Sequence, residues 1–177
     1  MIGALTLPAT LRARDQDVVL RRAVEDDLTA VVGLLADDPV STARGDRASA
    51  ADEPLYRSAM LEILADPAND LLVAVDAAGE VVGTLQLTRI PGMARRGSAR
   101  LLVEAVRVRS TLRSGGIGTA LMRWVTDVAA PATGSALVQL TSDNSRTDAH
   151  RFYERLGFAG SHRGFKYAVP PRPAPGG

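Results

Sequence analysis

The residues best suited to chemistry are Arg113-Ser114-Gly115-Gly116-Ile117-Gly118, set between an apolar run that ends at Val108 and an amphipathic stripe that begins at Ile117. A strand-to-helix junction of this kind can hold an anion. The first N–H groups of a helix lack intrahelical partners, and the aligned peptide dipoles place about half a positive charge beside them. Glycines let the anion come close because they carry no Cβ. Glycines between a strand and a helix also form plain turns, so neighbouring residues have to decide between the readings. A P-loop nucleotide hydrolase is disfavoured, since Thr119 and Ala120 follow Gly118 where a Lys-Ser/Thr pair would be needed. No Gly-x-Ser-x-Gly elbow of a serine hydrolase is present. The chain has no cysteine, hence no thiolate nucleophile, disulfide framework or Cys-based zinc site. His150 and His162 have no second ligand at metal-binding spacing, so no metal is expected.

The elements that must carry this junction can be read from apolar periodicity. Val18 to Arg22 is a strand, and Leu28, Val31, Val32 and Leu35 fall at helical spacing after the acidic turn Glu25-Asp26-Asp27. Asp38 to Glu53 is a long polar loop, followed by a helical stripe at Tyr56, Met60, Ile63 and Leu64 that ends before Pro67. Leu71 to Val75 and Val81 to Leu87 form a hairpin around Gly79, and Ala99 to Val108 is the strand that leads to the glycines. Ile117, Leu121, Trp124, Val125 and Val128 face inward on the next helix, which Pro131 to Gly134 ends. Ala136 to Leu140 is a short strand. A last helix carries Ala149, Phe152, Tyr153 and Leu156, with Asn144 or Ser145 as its cap, and Phe158 to Val169 reads as a closing hairpin. Helices inserted between strands indicate a mixed α/β sheet covered on both faces.

Composition sets the class. The 177 residues suffice for one domain, and 46% hydrophobic content, 23% charged content and a net charge of +1 are those of a soluble globular protein. Nothing in that balance calls for nucleic acid, and no stretch is long and apolar enough to span a bilayer. Residues 1–17 show no period and read as an N-terminal extension, 18–169 as the domain, and the proline-rich 170–177 as a disordered tail. The N-terminus lacks the basic region of a signal peptide, which fits a cytoplasmic location.

Two motifs, in order and each on its expected element, resemble the GNAT superfamily of N-acetyltransferases. Arg113-x-x-Gly116-x-Gly118 is similar to that family's pyrophosphate loop and follows alternating valines at Val106 and Val108. Ala149-His150-Arg151-Phe152-Tyr153-Glu154-Arg155-Leu156-Gly157-Phe158 is similar to its Ala-x-x-x-Tyr-Glu-x-x-Gly-Phe signature. One departure is Arg146, where many members have asparagine three residues before the alanine; Asn144 lies two residues away. The resemblance implies an α/β GNAT fold, a mixed and mostly antiparallel sheet of about seven strands with helices on both faces, the fourth and fifth strands splayed to admit acetyl-coenzyme A.

It further implies acetyl transfer from acetyl-coenzyme A to an amine by direct attack in a ternary complex. Cofactor contacts then fall on Val106, Arg107 and Val108 of the strand, on Arg113, Ser114, Gly115, Gly116, Ile117, Gly118 and Thr119 of the loop and helix start, and on Asn144. The departing thiolate needs a proton. Thiol and phenol pKa values of about 8.5 and about 10 make transfer from Tyr153 cost only about 2 kcal/mol, although Tyr153 also lies on an apolar stripe and could be core. A lysine-like amine must lose a proton at a cost of about 4 to 5 kcal/mol at neutral pH, and the resemblance makes Glu104 the candidate base, with a structural or substrate-orienting role as the alternative. Alternation places Glu104 on the side of Val106 and Val108 unless a bulge intervenes. The acceptor is expected to be a small-molecule amine, entering between the loop at Asp38 to Glu53 and the turn at Ser161 to Gly164. Asp46, Asp52 and Glu53 would favour a cationic acceptor, Arg95, Arg96 and Arg100 an anionic one, and both remain open. Acetylation of a protein lysine or N-terminus, and a non-catalytic coenzyme A sensor, are the alternative readings. A homodimer is common in the family.

Overall fold

Six short stretches of β-branched and aliphatic residues find ladder partners, and they do so in chain order. In the computed structural model, which describes residues 2–170, the strands are β1 Ala9–Arg12, β2 Asp17–Arg22, β3 Asn69–Val75, β4 Val81–Ile90, β5 Ala99–Val108 and β6 Ser135–Leu140. They form one sheet of order β1-β2-β3-β4-β5-β6. Every pairing is antiparallel except β5 with β6, which is parallel because a helix returns the chain between them. The helical segments are α1 Leu28–Ala36, α2 Pro39–Ala43, α3 Glu53–Ala65, the single turn α4 Ala94–Gly97, α5 Ile117–Trp124, α6 Ala130–Ala132 and α7 Thr147–Arg155. The chain divides into two compact units, Met1–Leu140 and Thr141–Gly177.

Within the first unit the sheet has helices on both faces. One face turns Leu71, Val73 and Val81 toward Leu28, Val31, Val32 and Leu34 of α1 and Met60 of α3. The other turns Leu72, Leu85, Leu87 and Leu101 inward with Ile117, Leu121 and Met122 of α5, all completely buried or nearly so. Gly83 stands under that helix, where a Cβ would lie 3.5 Å from Leu121. Burial of each such aliphatic side chain contributes about 1.5–3 kcal/mol.

Three expectations change. Residues before Asp17 are not without structure: Ile2, Leu5 and Leu11 are buried and β1 pairs with β2, its four residues being too few to show an alternation. The strand count is six where about seven were expected, because Phe158 to Val169 contains no strand. Phe165, Tyr167 and Val169 are more than four-fifths exposed, so they bury too little apolar surface to offset the entropy of ordering a hairpin. The loop between α1 and α3 contains α2, whose start is capped by the Asp38 carboxylate accepting the Ser41 N–H at 2.9 Å. Of the tail expected at 170–177, all but Pro170 lies outside the described residues.

Candidate active site

The central strand β5 is interrupted by a bulge. Gln86 of β4 faces Glu104 and Thr84 faces Arg107, so two residues, Ala105 and Val106, stand opposite Leu85 alone. Ala105 takes a left-handed φ of 51°, uncommon for alanine. The extra residue resets the alternation. Glu104 therefore lies on the same face as Arg107, Gln86 and Thr84, the face covered by α1 and α3, and not on the side of Val108, which pairs with Gly83 on the α5 face. The simple alternation expected for Glu104 is overturned by the bulge. Glu104 itself is exposed.

At its far end β5 is free of β6. The parallel ladder stops at Val103 opposite Leu140, while β5 continues to Val108, which is the splay expected of these two strands. Arg109 donates its N–H to Val82 across the β4 side, so by alternation Val106 and Val108 turn their backbone groups to the open side. Their carbonyls accept from Arg107 Nη1 at 2.8 Å and Arg113 Nε at 3.3 Å. Arg113 Nη2 also donates to the Asp37 carbonyl at 3.2 Å. Arg113 thus pins the loop to the strand and to the end of α1. The Asp37 carboxylate accepts the Ser110 N–H at 2.6 Å, and that bond holds its carboxyl below the usual carboxylate range.

The glycine loop enters α5 through Gly116, left-handed with φ 93°. The first helical bond runs from Ala120 N–H to Gly116, which leaves the N–H groups of Ile117, Gly118 and Thr119 in the unbonded first turn. The β1–β2 hairpin tip packs beside this loop. Asp15 donates its N–H to Gly115, the Arg14 guanidinium donates to the Ser114 carbonyl, and a Cβ on Gly116 would lie 2.5 Å from the Arg14 nitrogen. Gly116 is needed for this close approach of protein backbone as well as for its φ. A recess of about 130 Å³ remains, lined by Asp15, Gln16, Thr111, Leu112, Arg113, Gly115 and Ile117.

On the α1 side, Arg107 reaches across from β5 to α2. Its Nη2 donates to Ser41 Oγ at 2.5 Å and lies 3.7 Å from the buried Asp38 carboxylate. An open recess of about 470 Å³ adjoins α2, lined by Ala36, Asp37, Pro39, Thr42 and Ala43. The acids proposed to attract a cation have partners of their own: Asp46 accepts from the Tyr56 hydroxyl, Asp52 from Ser49 Oγ, and Glu53 from Arg57. Arg95 and Arg96 are exposed, both with left-handed φ.

In the second unit, Tyr153 lies on α7 in edge-to-face contact with Phe152 and Phe158, centroids 5.1 and 5.8 Å away. Neither Asn144 nor Ser145 caps α7, which starts after Arg146. Asp143 takes over the turn, its carboxylate accepting the Ser145 N–H and Oγ and its carbonyl the Arg146 N–H. Asn144 is exposed. His150 Nε2 bonds the Asp143 carbonyl at 2.8 Å, and His162 contacts Ser161. Among the described residues no cluster of three His, Asp or Glu could hold a metal.

Thus β5 carries Glu104 and Val106 to Val108, and the loop after it and the start of α5 carry Arg113 to Thr119, whereas Tyr153 and Asn144 belong to the second unit. The roles of Arg14, Asp15, Asp37, Asp38 and Ser41 were not foreseen, since none carries a motif.

Comparison with known proteins points the same way. The model of the acetyltransferase (GNAT) family matches residues 28–158. An aminoalkylphosphonate N-acetyltransferase of Salmonella typhimurium is 29% identical over 163 residues, 90% of this chain and 99% of that protein. A solved structure described as a transcriptional regulator from Bacillus halodurans is 41% identical with a TM-score of 0.80, over 86% of this chain and 99% of that one. A putative acetyltransferase from Agrobacterium tumefaciens is 25% identical with a TM-score of 0.71, over 85% and 99%.

Proposed function

This chain belongs to the GNAT family of acetyltransferases, enzymes that use acetyl-coenzyme A, and on that premise we propose that it acetylates the primary amine of a small molecule bearing an anionic group. The observation that carries this reading is the parting of β5 from β6 beyond Val103, directly before the glycine loop. It leaves a strand edge for the amide-bearing arm of coenzyme A, and the N–H groups of Ile117, Gly118 and Thr119 suit its pyrophosphate. The residues therefore fit the cosubstrate. The likeness to an aminoalkylphosphonate N-acetyltransferase supports an amine that carries a phosphonate or similar anion.

The amine nitrogen attacks the thioester carbonyl carbon, the new C–N bond forms and the C–S bond breaks. Glu104 takes the proton that the ammonium must lose before attack, Tyr153 supplies one to the departing thiolate, and the second proton that the nitrogen sheds as the amide forms restores the phenol by way of solvent. Net, one thiol and one amide replace one thioester and one amine. No metal takes part in this scheme. On this reading the enzyme is cytoplasmic and homodimeric, as is common in the family, and acts without nucleic acid or membrane. Among the described residues no helix is long and apolar enough to cross a bilayer.

The test is thiol release from acetyl-coenzyme A in the presence of an amine panel that includes 2-aminoethylphosphonate, lysine peptides and uncharged amines. Faster release with the aminophosphonate supports the reading. Preference for peptides would move it to protein acetylation, and coenzyme A binding without release to a sensor.

A further inference from the structure

Gln86 stands directly across the β4–β5 ladder from Glu104, and its amide is oriented by a chain of hydrogen bonds that ends in a carboxylate. The orientation can be deduced from the partners. Asp66 can only accept, so the side chain of Asn69 that meets it at 2.6 Å must present Nδ2. Asn69 Oδ1 is then turned to β4, where it accepts from Thr88 Oγ1 at 2.6 Å and from Gln86 Nε2 at 3.0 Å. With its nitrogen committed to Asn69, Gln86 turns its carbonyl oxygen Oε1 away from that partner. Asn69, Gln86 and Thr88 lie on the face of the sheet covered by α1 and α3, because Gln86 pairs with Leu71 and Thr88 with Asn69, and Asp66 follows the end of α3. The bulge at Ala105 brings Glu104 to that face too.

We propose that Gln86 Oε1 binds the acceptor amine beside Glu104, a reading that rests on the acetyl-transfer function argued above. Side chains directly opposite in an antiparallel pair have Cβ atoms about 4.5–5.5 Å apart, so one nitrogen can reach both. The two oxygens have different tasks. Glu104 accepts a proton, whereas an amide oxygen is too weakly basic to take one and holds an N–H without removing it. The nitrogen is thereby oriented while its lone pair is released. Asp66, Asn69 and Thr88 are positioning residues that fix which end of the Gln86 amide faces the amine.

The experiment compares the wild type with Gln86→Met, close in length but without the acceptor, and Gln86→Glu, which restores one. Binding of 2-aminoethylphosphonate is measured by calorimetry with coenzyme A present, beside thiol release, coenzyme A affinity and melting temperature. Gln86→Met should weaken amine binding and raise its KM about tenfold, the loss of one hydrogen bond to a charged group. Coenzyme A affinity and melting temperature should stay unchanged, and Gln86→Glu should recover amine affinity to within about threefold while lowering kcat. Undiminished amine binding by Gln86→Met, or an equal loss of coenzyme A binding, overturns the assignment and leaves the acetyltransferase reading intact. Amine binding lost in Gln86→Met but no thiol release by the wild type upholds the assignment and overturns the reaction. A wild type that neither binds nor acetylates the probe overturns both.

Discussion

Glu104 and Gly116 show how much of a residue's role depends on its surroundings. Glu104 was visible in the sequence as a carboxylate on the right strand, but its face was not, since nothing in Glu104-Ala105-Val106 signals that Ala105 adopts φ 51°. As the base, its replacement in Glu104→Gln should lower kcat/KM about 10²-fold or more at neutral pH. The deficit should shrink as pH rises toward the amine pKa of about 10, where the substrate deprotonates unaided; a pH-independent deficit would make Glu104 a binding residue only. Tyr153→Phe should lower kcat by at least about 10²-fold with acetyl-coenzyme A affinity unchanged, because a lost proton donor affects the thiolate and not the bound ground state. Unaltered turnover would return Tyr153 to its aromatic cluster with Phe152 and Phe158. Gly116→Ala acts on the fold first. It combines an unfavourable φ with a Cβ 2.5 Å from Arg14, so it should cost about 3 kcal/mol and lower the melting temperature by about 6 °C or more. A melting temperature within a degree of wild type would show that the hairpin tip yields readily.

Among the elements, β5 is held in different ways along its length. It pairs with β4 along its length, with β6 over its first half, and with α2 through Arg107. The last contact keeps the segment after α1 against the strand that holds the site. Asp38 and Ser41 are both buried there, and the guanidinium offsets the cost of burying the carboxylate. Arg107→Gln should therefore cost about 2 kcal/mol and speed amide hydrogen exchange over Pro39–Ala43, with exchange in α5 unchanged. Unchanged exchange in α2 would mean that apolar packing alone retains it. Sequence reasoning placed the strand and the glycine loop because each leaves a local trace in residue type and spacing, whereas the parting of β5 from β6 was expected only from the family resemblance. It assigned Arg107 to the cofactor by position and missed its tie to α2, since a contact between residues 66 apart in the chain leaves no such trace.

At the scale of the whole chain, acid stability depends on carboxylates that join elements. The Asp27 carboxylate accepts hydrogen bonds from Arg21 Nη1 and Nη2, at 2.6 and 2.8 Å, and from the Val24 N–H, tying β2 to the turn before α1. The Arg21 bonds hold its pKa below the ordinary value. A carboxyl depressed in the folded state gives its full stabilisation above the unfolded value of about 3.9 and loses it as pH falls through the folded value. Asp27→Asn should lower the melting temperature by about 4–8 °C at pH 7, from about 2 kcal/mol, and the difference should fade as pH falls through the folded-state value. A difference that persists at low pH would assign the effect to packing. Asp70 has the opposite sign: burial raises its pKa against the pull of Arg22, so its protonation favours the folded state as pH falls. The main strands and helices from β2 to α7, the glycine junction and the family signature follow from amino-acid type at local spacing, where helix and strand periods and the missing Cβ of glycine operate over a few residues. The face on which Glu104 lies, the hairpin tip that makes Gly116 obligatory, and the row Asp66–Asn69–Gln86 beside Glu104 depend on register between strands. One inserted residue in a ladder turns every later side chain to the other face, and only the assembled sheet determines where that residue sits.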